Sequence, residues 1–465
     1  MEIFYHSVPE IESTAETLKQ KDLRLYFIGI GGVSMSSLAL YMKRRGAQVY
    51  GSDIRQGAEI NMLSAEGIKV FPKHNADNIS LCMPHAVIYS LAIDKENPEY
   101  RRAAELGITL IPRALALGAI VSGAKSSYAV SGSHGKSTTV AMMARIFSLA
   151  GRDPTVFCGA DLGQGKGVLF GSDEYIVTEA CEYGGSFLDI RAGVRVFLNL
   201  ELDHTDCYSC TDELCEAFLR AASGAECVII NSDDKNLFSI LPRINVPVVT
   251  FSAVGQADYT YFSSPAADGR RDLVIYHGGQ RLLCTRLATV GAHNASNAAA
   301  AAIAAHTAGI DPELIACALS GFCGIGRRLE YLKDICGCAV YYDYAHHPTE
   351  IAALRQALRD MGKCRIGAVF APHTYSRTEY FLDSFAYELA LFDRAFIAEV
   401  YAAREPVRTD ISNRLLAERT NAKGGNATVL DIGEIFKYIM ENKPDALVLV
   451  GAGELEKIKK AIEVY

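Results

Sequence analysis

A short glycine-rich segment between an apolar strand and a helix constrains this chain more than any other feature. Residues 130–139 read Val-Ser-Gly-Ser-His-Gly-Lys-Ser-Thr-Thr. Residues 128–131 have the composition of the end of a buried strand, and residues 140–149 repeat apolar side chains at helical spacing. Backbone N–H groups in such a turn point at an anion. The segment therefore predicts a phosphate-binding loop in an α/β domain.

The side chains of this loop suit a nucleoside triphosphate. Lys136 is placed to reach the terminal phosphates, and the hydroxyl of Ser137 to hold a magnesium ion. The strict eight-residue Walker pattern has glycine where this chain has Val130, so the loop is a shortened GxxGK[ST] variant. We expect the nucleotide to be bound by Gly132, Ser133, His134, Gly135, Lys136, Ser137 and Thr138.

The length of 465 residues predicts about three domains. A net charge of −8 with 22% charged residues is ordinary for a globular protein, and no basic stripe indicates a nucleic-acid partner. No apolar run predicts a membrane span, and residues 1–21 lack the pattern of a secretory signal. The 13 scattered cysteines indicate reduced thiols, and the CxxC pair at 207–210 lacks the second pair of a zinc site. We expect a cytoplasmic protein.

A second glycine-rich turn opens the first of three α/β blocks. Residues 25–37 read Leu-Tyr-Phe-Ile-Gly-Ile-Gly-Gly-Val-Ser-Met-Ser-Ser, and a predicted strand over 48–51 leads to Asp53. This is the opening of a Rossmann-like unit, whose helix start receives a pyrophosphate and whose acid takes a ribose hydroxyl. Ser34 replaces the third glycine of the fingerprint, so a turn that only packs is the alternative. The second nucleotide site is predicted at Gly29, Gly31, Gly32 and Asp53.

Acidic residues end two predicted strands of the second block. One strand, over 174–179, ends at Glu179, and another, over 196–206, ends in a cluster that includes Asp203 and His204. The carboxyl ends of parallel strands share the sheet edge that carries the phosphate loop. Because magnesium prefers oxygen ligands, Glu179 together with Asp203 or His204 is a candidate metal site.

Two asparagines flank a predicted helix start farther on. Residues 291–297 read Gly-Ala-His-Asn-Ala-Ser-Asn and precede an alanine-rich helix. Helix capping is the simple explanation for Asn294. For Asn297, capping and an amide contact to a ligand are both open.

In the third block, polar side chains again follow predicted strands. The strands are 339–342, 366–370, 395–400 and 446–450. The first is followed by Asp-Tyr-Ala-His-His-Pro at 343–348, and the second by Pro-His-Thr-Tyr-Ser-Arg at 372–377. A single histidine is more often structural, but three histidines and several arginines on one sheet edge favour a site for an anionic substrate and an incoming amine.

These motifs, in this order and across nearly all of the chain, resemble the Mur ligases of peptidoglycan synthesis. The segments 343–350 and 372–378 are the most specific for the alanine-adding branch of that family. Relatives that add later amino acids carry a modified lysine downstream of the Asp-His pair, and residues 205–226 contain no lysine. The match also rests on the glycine turn with residues 51–53, on 134–139, on Asp203-His204, on His293-Asn294 with Asn297, and on Arg327-Arg328.

The resemblance implies an α/β fold of three domains. They are a Rossmann-like UDP-sugar domain over 1–124, a central P-loop ATPase-type domain with a parallel sheet over 125–326, and a C-terminal Rossmann-like α/β domain over 327–465. The implied reaction is ATP-dependent ligation: the carboxylate of UDP-N-acetylmuramate takes the γ-phosphoryl group, and the amine of L-alanine displaces phosphate. The resemblance leaves open a recycling ligase that adds a tripeptide to the same sugar. A non-catalytic nucleotide-binding regulator is a more distant alternative.

Roles carried over from the family complete the expectation. Asn297 contacts adenine, and Arg328 with Asp343 closes the ATP site from the third domain. His346 lies near L-alanine, while His373 and Arg377 grip the substrate carboxylate or its phosphate. The implied cofactors are ATP and Mg²⁺, and the chain acts as a monomer or homodimer. The implied catalytic residues are Lys136, His346, His373 and Arg377, the magnesium ligands Ser137, Glu179 and His204, and the UDP-sugar residues Gly29, Gly31, Gly32 and Asp53.

Overall fold

Three β-sheets follow one another along the chain, each flanked by helices. The structure is a computed structural model, and it describes residues 5–163, 166–203, 207–266, 269–403, 405–453 and 455–464. The predicted three-domain α/β fold is confirmed. His204, a predicted magnesium ligand, lies outside the described residues. Within those residues, none of the helices has both the length and the apolar character needed to cross a membrane.

The first sheet is parallel, with the strand order β3-β2-β1-β4-β5. Its central strand is an apolar run that is buried on both faces, as expected for a parallel sheet covered by helices. The elements are α1 (Val8–Leu18), β1 (Arg24–Ile28), α2 (Val33–Arg44), β2 (Gln48–Ser52), α3 (Ala58–Ala65), β3 (Lys69–Phe71), α4 (Ala76–Cys82), β4 (Ala86–Tyr89), α5 (Pro98–Glu105), β5 (Thr109–Pro112) and α6 (Arg113–Val121).

The central sheet begins with the strand that leads into the phosphate loop. Its order is β15-β14-β13-β12-β11-β10-β6-β9-β7-β8. The elements are β6 (Ser126–Ser131), α7 (Lys136–Leu149), β7 (Thr155–Phe157), β8 (Val168–Leu169), β9 (Tyr175–Glu179), β10 (Val194–Phe197), α8 (Thr211–Ser223), β11 (Cys227–Asn231), α9 (Lys235–Ile240), β12 (Val248–Ser252), β13 (Tyr259–Pro265), β14 (Arg271–His277), β15 (Gln280–Leu287), α10 (Ala292–Thr307) and α11 (Pro312–Ser320), with 3₁₀ turns at Tyr183–Leu188 and Leu241–Arg243.

Two features of this sheet differ from the prediction. The strand expected over 196–206 ends at Phe197, because the polar residues that follow bond to the phosphate loop instead of a neighbouring strand. In addition, β13, β14 and β15 form an antiparallel extension of an otherwise mainly parallel sheet. Gly278 and Gly279, which connect β14 to β15, are the sequence signal for that hairpin.

The alanine-rich helix α10 places Asn297 against the phosphate loop. Its alanines at 298–302, 304 and 305 have no exposed surface. Small side chains let α10 approach α7 closely, so the two helices pack along their length in the core of the central domain. Asn297, near the start of α10, is thereby held next to Gly135.

The third sheet has the order β16-β17-β21-β18-β19-β20, in which only β16 is antiparallel to its neighbour among the described strands. The predicted strands at 339–342, 366–370 and 446–450 are all present, and the one at 395–400 ends at Ile397. The elements are β16 (Glu330–Ile335), β17 (Cys338–Asp343), α12 (Pro348–Asp360), β18 (Ile366–Ala371), α13 (Tyr375–Tyr380), α14 (Leu382–Ala390), β19 (Arg394–Ile397), α15 (Asn413–Ala422), β20 (Ala427–Val429), α16 (Ile432–Asn442), β21 (Ala446–Gly451) and α17 (Glu456–Val464).

Candidate active site

The phosphate loop connects β6 to α7 and has the backbone shape that its glycines allow. Gly132 has φ +148° and Gly135 has φ +84°, conformations that side chains disfavour. A Cβ atom at Gly135 would overlap the amide of Asn297. The helix α7 begins at Lys136, so its N-terminus faces the loop and favours an anion there.

Asn199 and Glu201, which follow β10, hold the phosphate loop in place through hydrogen bonds. The His134 N–H donates to Asn199 Oδ1 at 2.8 Å, and Asn199 Nδ2 donates back to the His134 carbonyl at 3.0 Å. The Ser133 hydroxyl donates to the Glu201 carbonyl at 2.7 Å and accepts the Glu201 N–H at 2.8 Å. The loop is therefore preorganised. Sequence reasoning missed both residues, although they lie in the polar run after a predicted strand.

Lys136 folds back on the loop in this structure. Its Nζ donates to the Gly132 carbonyl, lies 3.2 Å from the Ser133 carbonyl and forms a 3.2 Å ion pair with Glu182 Oε2. Burial acts to lower the pKa of Lys136, but the negative charges of Glu182, Glu179 and Asp203 together outweigh it and raise that pKa. Lys136 is therefore a charged group, and a triphosphate must replace Glu182 as its partner.

Glu179 lies beside the first turn of α7. Its Oε1 accepts the Gly159 N–H and lies 3.1 Å from Cys158 Sγ, which in turn is 3.7 Å from the Ser137 carbonyl. Carboxylate and hydroxyl oxygens are ligands that magnesium prefers. A magnesium site at Ser137 and Glu179 stays a prediction.

A cavity of about 240 Å³ opens between the central and third domains. Its walls carry residues from both, so the structure places side chains that are far apart in the sequence around one space. Those among the predicted nucleotide residues are His134, Gly135, Thr138, Asn297, Arg328 and Asp343.

Neither Asn294 nor Asn297 occupies the N-cap position of α10. The N-cap residue is Gly291, so the predicted capping role of Asn294 is wrong: Asn294 lies inside the first turn and donates through Nδ2 to the Val290 carbonyl at 2.8 Å. Asn297 Nδ2 lies 3.4 Å from Asn294 Oδ1, and the Asn297 side chain also lines the cavity. A cap at Asn297 is likewise excluded, which leaves the ligand contact as its prediction.

Asp343 shapes the turn that presents Arg328. Its Oδ2 accepts the Leu329 N–H at 2.7 Å and its Oδ1 accepts the Ala345 N–H at 2.8 Å. Burial raises the pKa of Asp343 to about 6. Arg328 reaches from this turn to within 3.6 Å of Glu350 and lines the same cavity.

Glu350, which sequence reasoning did not single out, connects the third domain to the phosphate loop. Its Oε1 lies 3.1 Å from His134 Nδ1, and its Oε2 accepts the His346 N–H at 2.9 Å. His134 Nε2 lies 3.0 Å from Glu201 Oε2 on its other side. Although burial opposes it, the carboxylates of Glu350 and Glu201 raise the pKa of His134 to about 10. The signal was present, because Glu350 belongs to the segment 343–350.

Three predicted catalytic residues gather around Asp203. Arg377 places Nε and Nη2 each 2.9 Å from Asp203 Oδ1, and its Nη1 lies 3.3 Å from His373 Nδ1. His346 Nε2 lies 4.0 Å from Asp203 Oδ2. Burial lowers the pKa of His346, and that of His373 to about 4, so both rings are neutral at pH 7. The positive charge that an anionic substrate meets here comes from Arg377.

In the first domain, Asp53 holds the glycine turn. Its Oδ2 accepts the Gly31 N–H at 2.9 Å, and a Cβ atom at Gly31 would lie 2.9 Å from that same oxygen. The turn ends at Gly32, the N-cap of α2. Asp53 and the glycine turn therefore meet at the carboxyl edge of the sheet. A nucleotide site at this edge stays a prediction. Tyr41 of α2 donates to Asp173 at 2.9 Å and so joins this domain to the central one.

Sequence profiles of three domains match this chain in the order of its sheets. They are the Mur ligase family catalytic domain at 24–125, the Mur ligase middle domain at 130–305, and the Mur ligase glutamate ligase domain at 327–453. The chain belongs to the Mur ligase family. The predicted resemblance is confirmed, and with it the prediction of a ligase that uses ATP.

Several known proteins align with this Mur ligase over almost its whole length. It is 36% identical over 442 residues to the UDP-N-acetylmuramate–L-alanine ligase of Caldicellulosiruptor saccharolyticus, covering 93% of this chain and 97% of that protein. The enzyme of the same name from Acetivibrio thermocellus is 36% identical over 446 residues, covering 93% and 94%. The crystal structure of the UDP-N-acetylmuramate–alanine ligase of Thermotoga maritima matches with a TM-score of 0.79 at 26% identity, covering 95% and 98%.

A second solved structure shares the fold of this Mur ligase. It is a murein peptide ligase from Psychrobacter arcticus, with a TM-score of 0.69 at 23% identity, covering 95% of this chain and 98% of that chain. At this identity the likeness establishes the three-domain fold.

Substituting Gly135 tests the phosphate loop directly. We expect Gly135→Ala to lower the affinity for a non-hydrolysable ATP analogue at least about tenfold, or about 1.4 kcal/mol, because its φ is +84° and the new methyl group would displace Asn297. Isothermal titration calorimetry measures this. Gly151→Ala is the matched control, since Gly151 has φ +69° but nothing within 4 Å of its Cβ position. Equal affinity of the two variants would contradict the assignment of the loop.

Proposed function

We propose that this Mur ligase joins L-alanine to the lactyl carboxylate of UDP-N-acetylmuramate. ATP is consumed, and the products are UDP-N-acetylmuramoyl-L-alanine, ADP and phosphate. The observation that carries the proposal is the meeting of Lys136, Asp203 and Arg377 at one domain interface. This arrangement occurs in a chain that is 36% identical over 93% of its length to an enzyme named for that reaction.

In the first step the lactyl carboxylate attacks the γ-phosphorus of ATP, and the bond to the departing ADP breaks. Both reactants are anions, so the barrier is mainly one of repulsion and positioning. Lys136 exchanges Glu182 for the phosphates, while the loop held by Asn199 keeps its N–H groups aimed at them. Arg377 neutralises the carboxylate that approaches from the third domain.

Magnesium supplies the remaining positive charge when it is bound with ATP. We assign the Ser137 hydroxyl and the Glu179 carboxylate as its ligands on this chain, because oxygen donors of this kind suit a hard cation. His204 is the third proposed ligand.

In the second step the amine of L-alanine attacks the acyl phosphate, and phosphate leaves from the tetrahedral intermediate. The amine must be unprotonated to attack, so a neutral base nearby is useful. His346 fits this role, since burial lowers its pKa and its Nδ1 is directed to the Tyr344 carbonyl at 2.9 Å, leaving Nε2 toward Asp203. Arg377 and His373 hold the phosphate that forms.

We assign the UDP part of the substrate to the Gly29 turn and Asp53. The corresponding domain boundaries are 1–124 for the UDP-sugar, 125–326 for ATP and 327–465 for the amino acid. Asn297 contacts adenine, and Arg328 with Asp343 closes the ATP site from the third domain. The proposed assembly is a monomer or a homodimer. The substrates are charged and water-soluble, which suits action in the cytoplasm.

A substrate panel tests this function. Phosphate release is measured with UDP-N-acetylmuramate, ATP and magnesium against free amino acids and the tripeptide that a recycling ligase would use. We expect L-alanine to give the highest kcat/KM and the tripeptide to give background rates. Faster release with the tripeptide would overturn the assignment of L-alanine.

Removing the charge of Lys136 should nearly abolish turnover. We expect Lys136→Ala to lower kcat by about a hundredfold to a thousandfold, because a preorganised charge at the transferring phosphoryl group is lost. Binding of UDP-N-acetylmuramate should be unchanged, which calorimetry checks. Lys125→Ala, on an exposed lysine just before β6, is the control and should keep full activity. Activity of Lys136→Ala within a few-fold of the parent would refute the role of the loop.

Two further variants separate the halves of the reaction. We expect His346→Ala to raise the KM for L-alanine more than that for UDP-N-acetylmuramate, since the imidazole serves the amine. Arg377→Ala should do the reverse and lower kcat as well, because the guanidinium neutralises the carboxylate. Steady-state kinetics with each substrate varied in turn measure this. Equal effects on both substrates would mean that the two residues only shape the pocket.

A further inference from the structure

An arginine at the carboxyl edge of the first sheet has no role in the reaction described above. Arg113 directly follows β5 and is the first residue of α6. Its Nη1 donates to the Ser34 hydroxyl at 2.9 Å, and Ser34 belongs to the first turn of α2. Because β4 lies between β5 and β1 in the sheet, Arg113 reaches across the end of β4 to the helix that follows the glycine turn.

The strand order places this contact over the crevice of the sheet. From β1 the chain passes through α2 to β2 on one side, whereas β4 and β5 lie on the other side of β1. In an open parallel sheet, ligands bind in the crevice outside the carboxyl ends of the strands, where the order reverses. The glycine turn and Asp53 hold one side of this crevice, and Arg113 reaches it from the other.

The two helices that start at this crevice are not capped by side chains. The N-cap residues are Gly32 for α2 and Pro112 for α6, and neither makes a side-chain hydrogen bond to its helix. In the same domain, Asn75 and Asn97 do cap α4 and α5. First-turn N–H groups without a capping side chain are suited to the oxygens of an anion.

The guanidinium of Arg113 has no ion-pair partner within the part of the chain that the structure describes. Burial lowers the pKa of Arg113, but an arginine stays protonated at pH 7. Cys181 and Asp189 act in the opposite direction on that pKa, yet the Asp189 carboxylate is already bound to His6, at 2.7 Å from its N–H and 3.0 Å from Nδ1. A part-buried cation with a hydroxyl as its acceptor is suited to an anionic ligand.

We propose that Arg113, oriented by Ser34, binds the diphosphate of the UDP-sugar. This inference rests on the proposed function, which assigns that substrate to the first domain. One guanidinium nitrogen is held by Ser34, and the remaining donors are available to phosphate oxygens. Ser34, which stands in place of the third glycine of the fingerprint, then has a role: its hydroxyl sets the direction of the guanidinium.

The position of Arg113 also bears on where the sugar enters the central domain. Helix α6 packs directly on that domain, since a Cβ atom at Gly118 would overlap the Asp189 carbonyl. Arg113 therefore lies beside the interface between the first and central domains. Because the diphosphate connects the uridine to the sugar, an anchor here fixes the point from which the sugar carboxylate extends toward ATP. We expect Arg113 to govern the KM for the UDP-sugar and to leave the KM for ATP unchanged.

Calorimetry with UDP tests this role without turnover. We expect Arg113→Gln to weaken UDP binding to the full-length protein at least about tenfold, because charge-assisted hydrogen bonds to phosphate are lost. Arg113→Lys keeps the charge but not the planar fork, so its affinity should lie between those of Arg113→Gln and the parent. Arg101→Gln, on an exposed arginine of α5 that pairs with Glu96, is the matched control and should bind UDP as the parent does.

A second variant keeps the test decisive if Arg113→Gln does not fold, as judged by circular dichroism. Ser34→Ala removes the orienting hydroxyl and should weaken UDP binding by about threefold or more. A folded variant of either kind that binds UDP with the affinity of the parent would overturn the role of Arg113 and leave the UDP-sugar site in place. A parent protein that does not bind UDP would overturn this inference together with that site.

Discussion

The ion pair between Asp203 and Arg377 is the interaction on which the rest of the site depends. Asp203 follows the central sheet and Arg377 follows β18, so the pair joins two domains whose contacting residues are 174 positions apart. Both side chains are less than a tenth exposed, and a buried charge without its partner is costly. The central and third domains therefore have a strong electrostatic reason to meet in one arrangement. That arrangement places His346 beside Asp203 and His373 beside Arg377.

Three cationic side chains around the site are each close to a carboxylate of the protein. Lys136 is paired with Glu182, Arg328 lies near Glu350, and Arg377 is bound to Asp203. The first two pairs lie within the central and the third domain respectively, whereas the pair of Arg377 with Asp203 joins the two domains. Under the proposed function, the anions of ATP and of the sugar carboxylate compete with these protein carboxylates for the cations. Binding at Arg377 is then linked to the domain arrangement through Asp203.

The sequence predicted those features of the structure that depend on residues close together in the chain. The two glycine turns and the acid at the end of β9 follow from backbone geometry and strand ends, which can be read from the sequence. Glu350 was missed because its role depends on which side of α12 faces His134, and that is set by domain packing. The antiparallel hairpin of β14 and β15 was missed although the glycine pair between them signals it. Asn294 was misassigned because the helix begins one turn earlier than a cap there requires.

A double-mutant cycle on Asp203 and Arg377 tests the central claim most directly. The value of kcat/KM for phosphate release is measured for the parent, for Asp203→Ala, for Arg377→Ala and for the double variant. If the two residues work as one unit across the interface, the kcat/KM of the double variant is close to that of the more impaired single variant. The coupling energy is then at least about 1 kcal/mol. Losses that add to within about 0.5 kcal/mol would contradict it and would mean that the two side chains act independently.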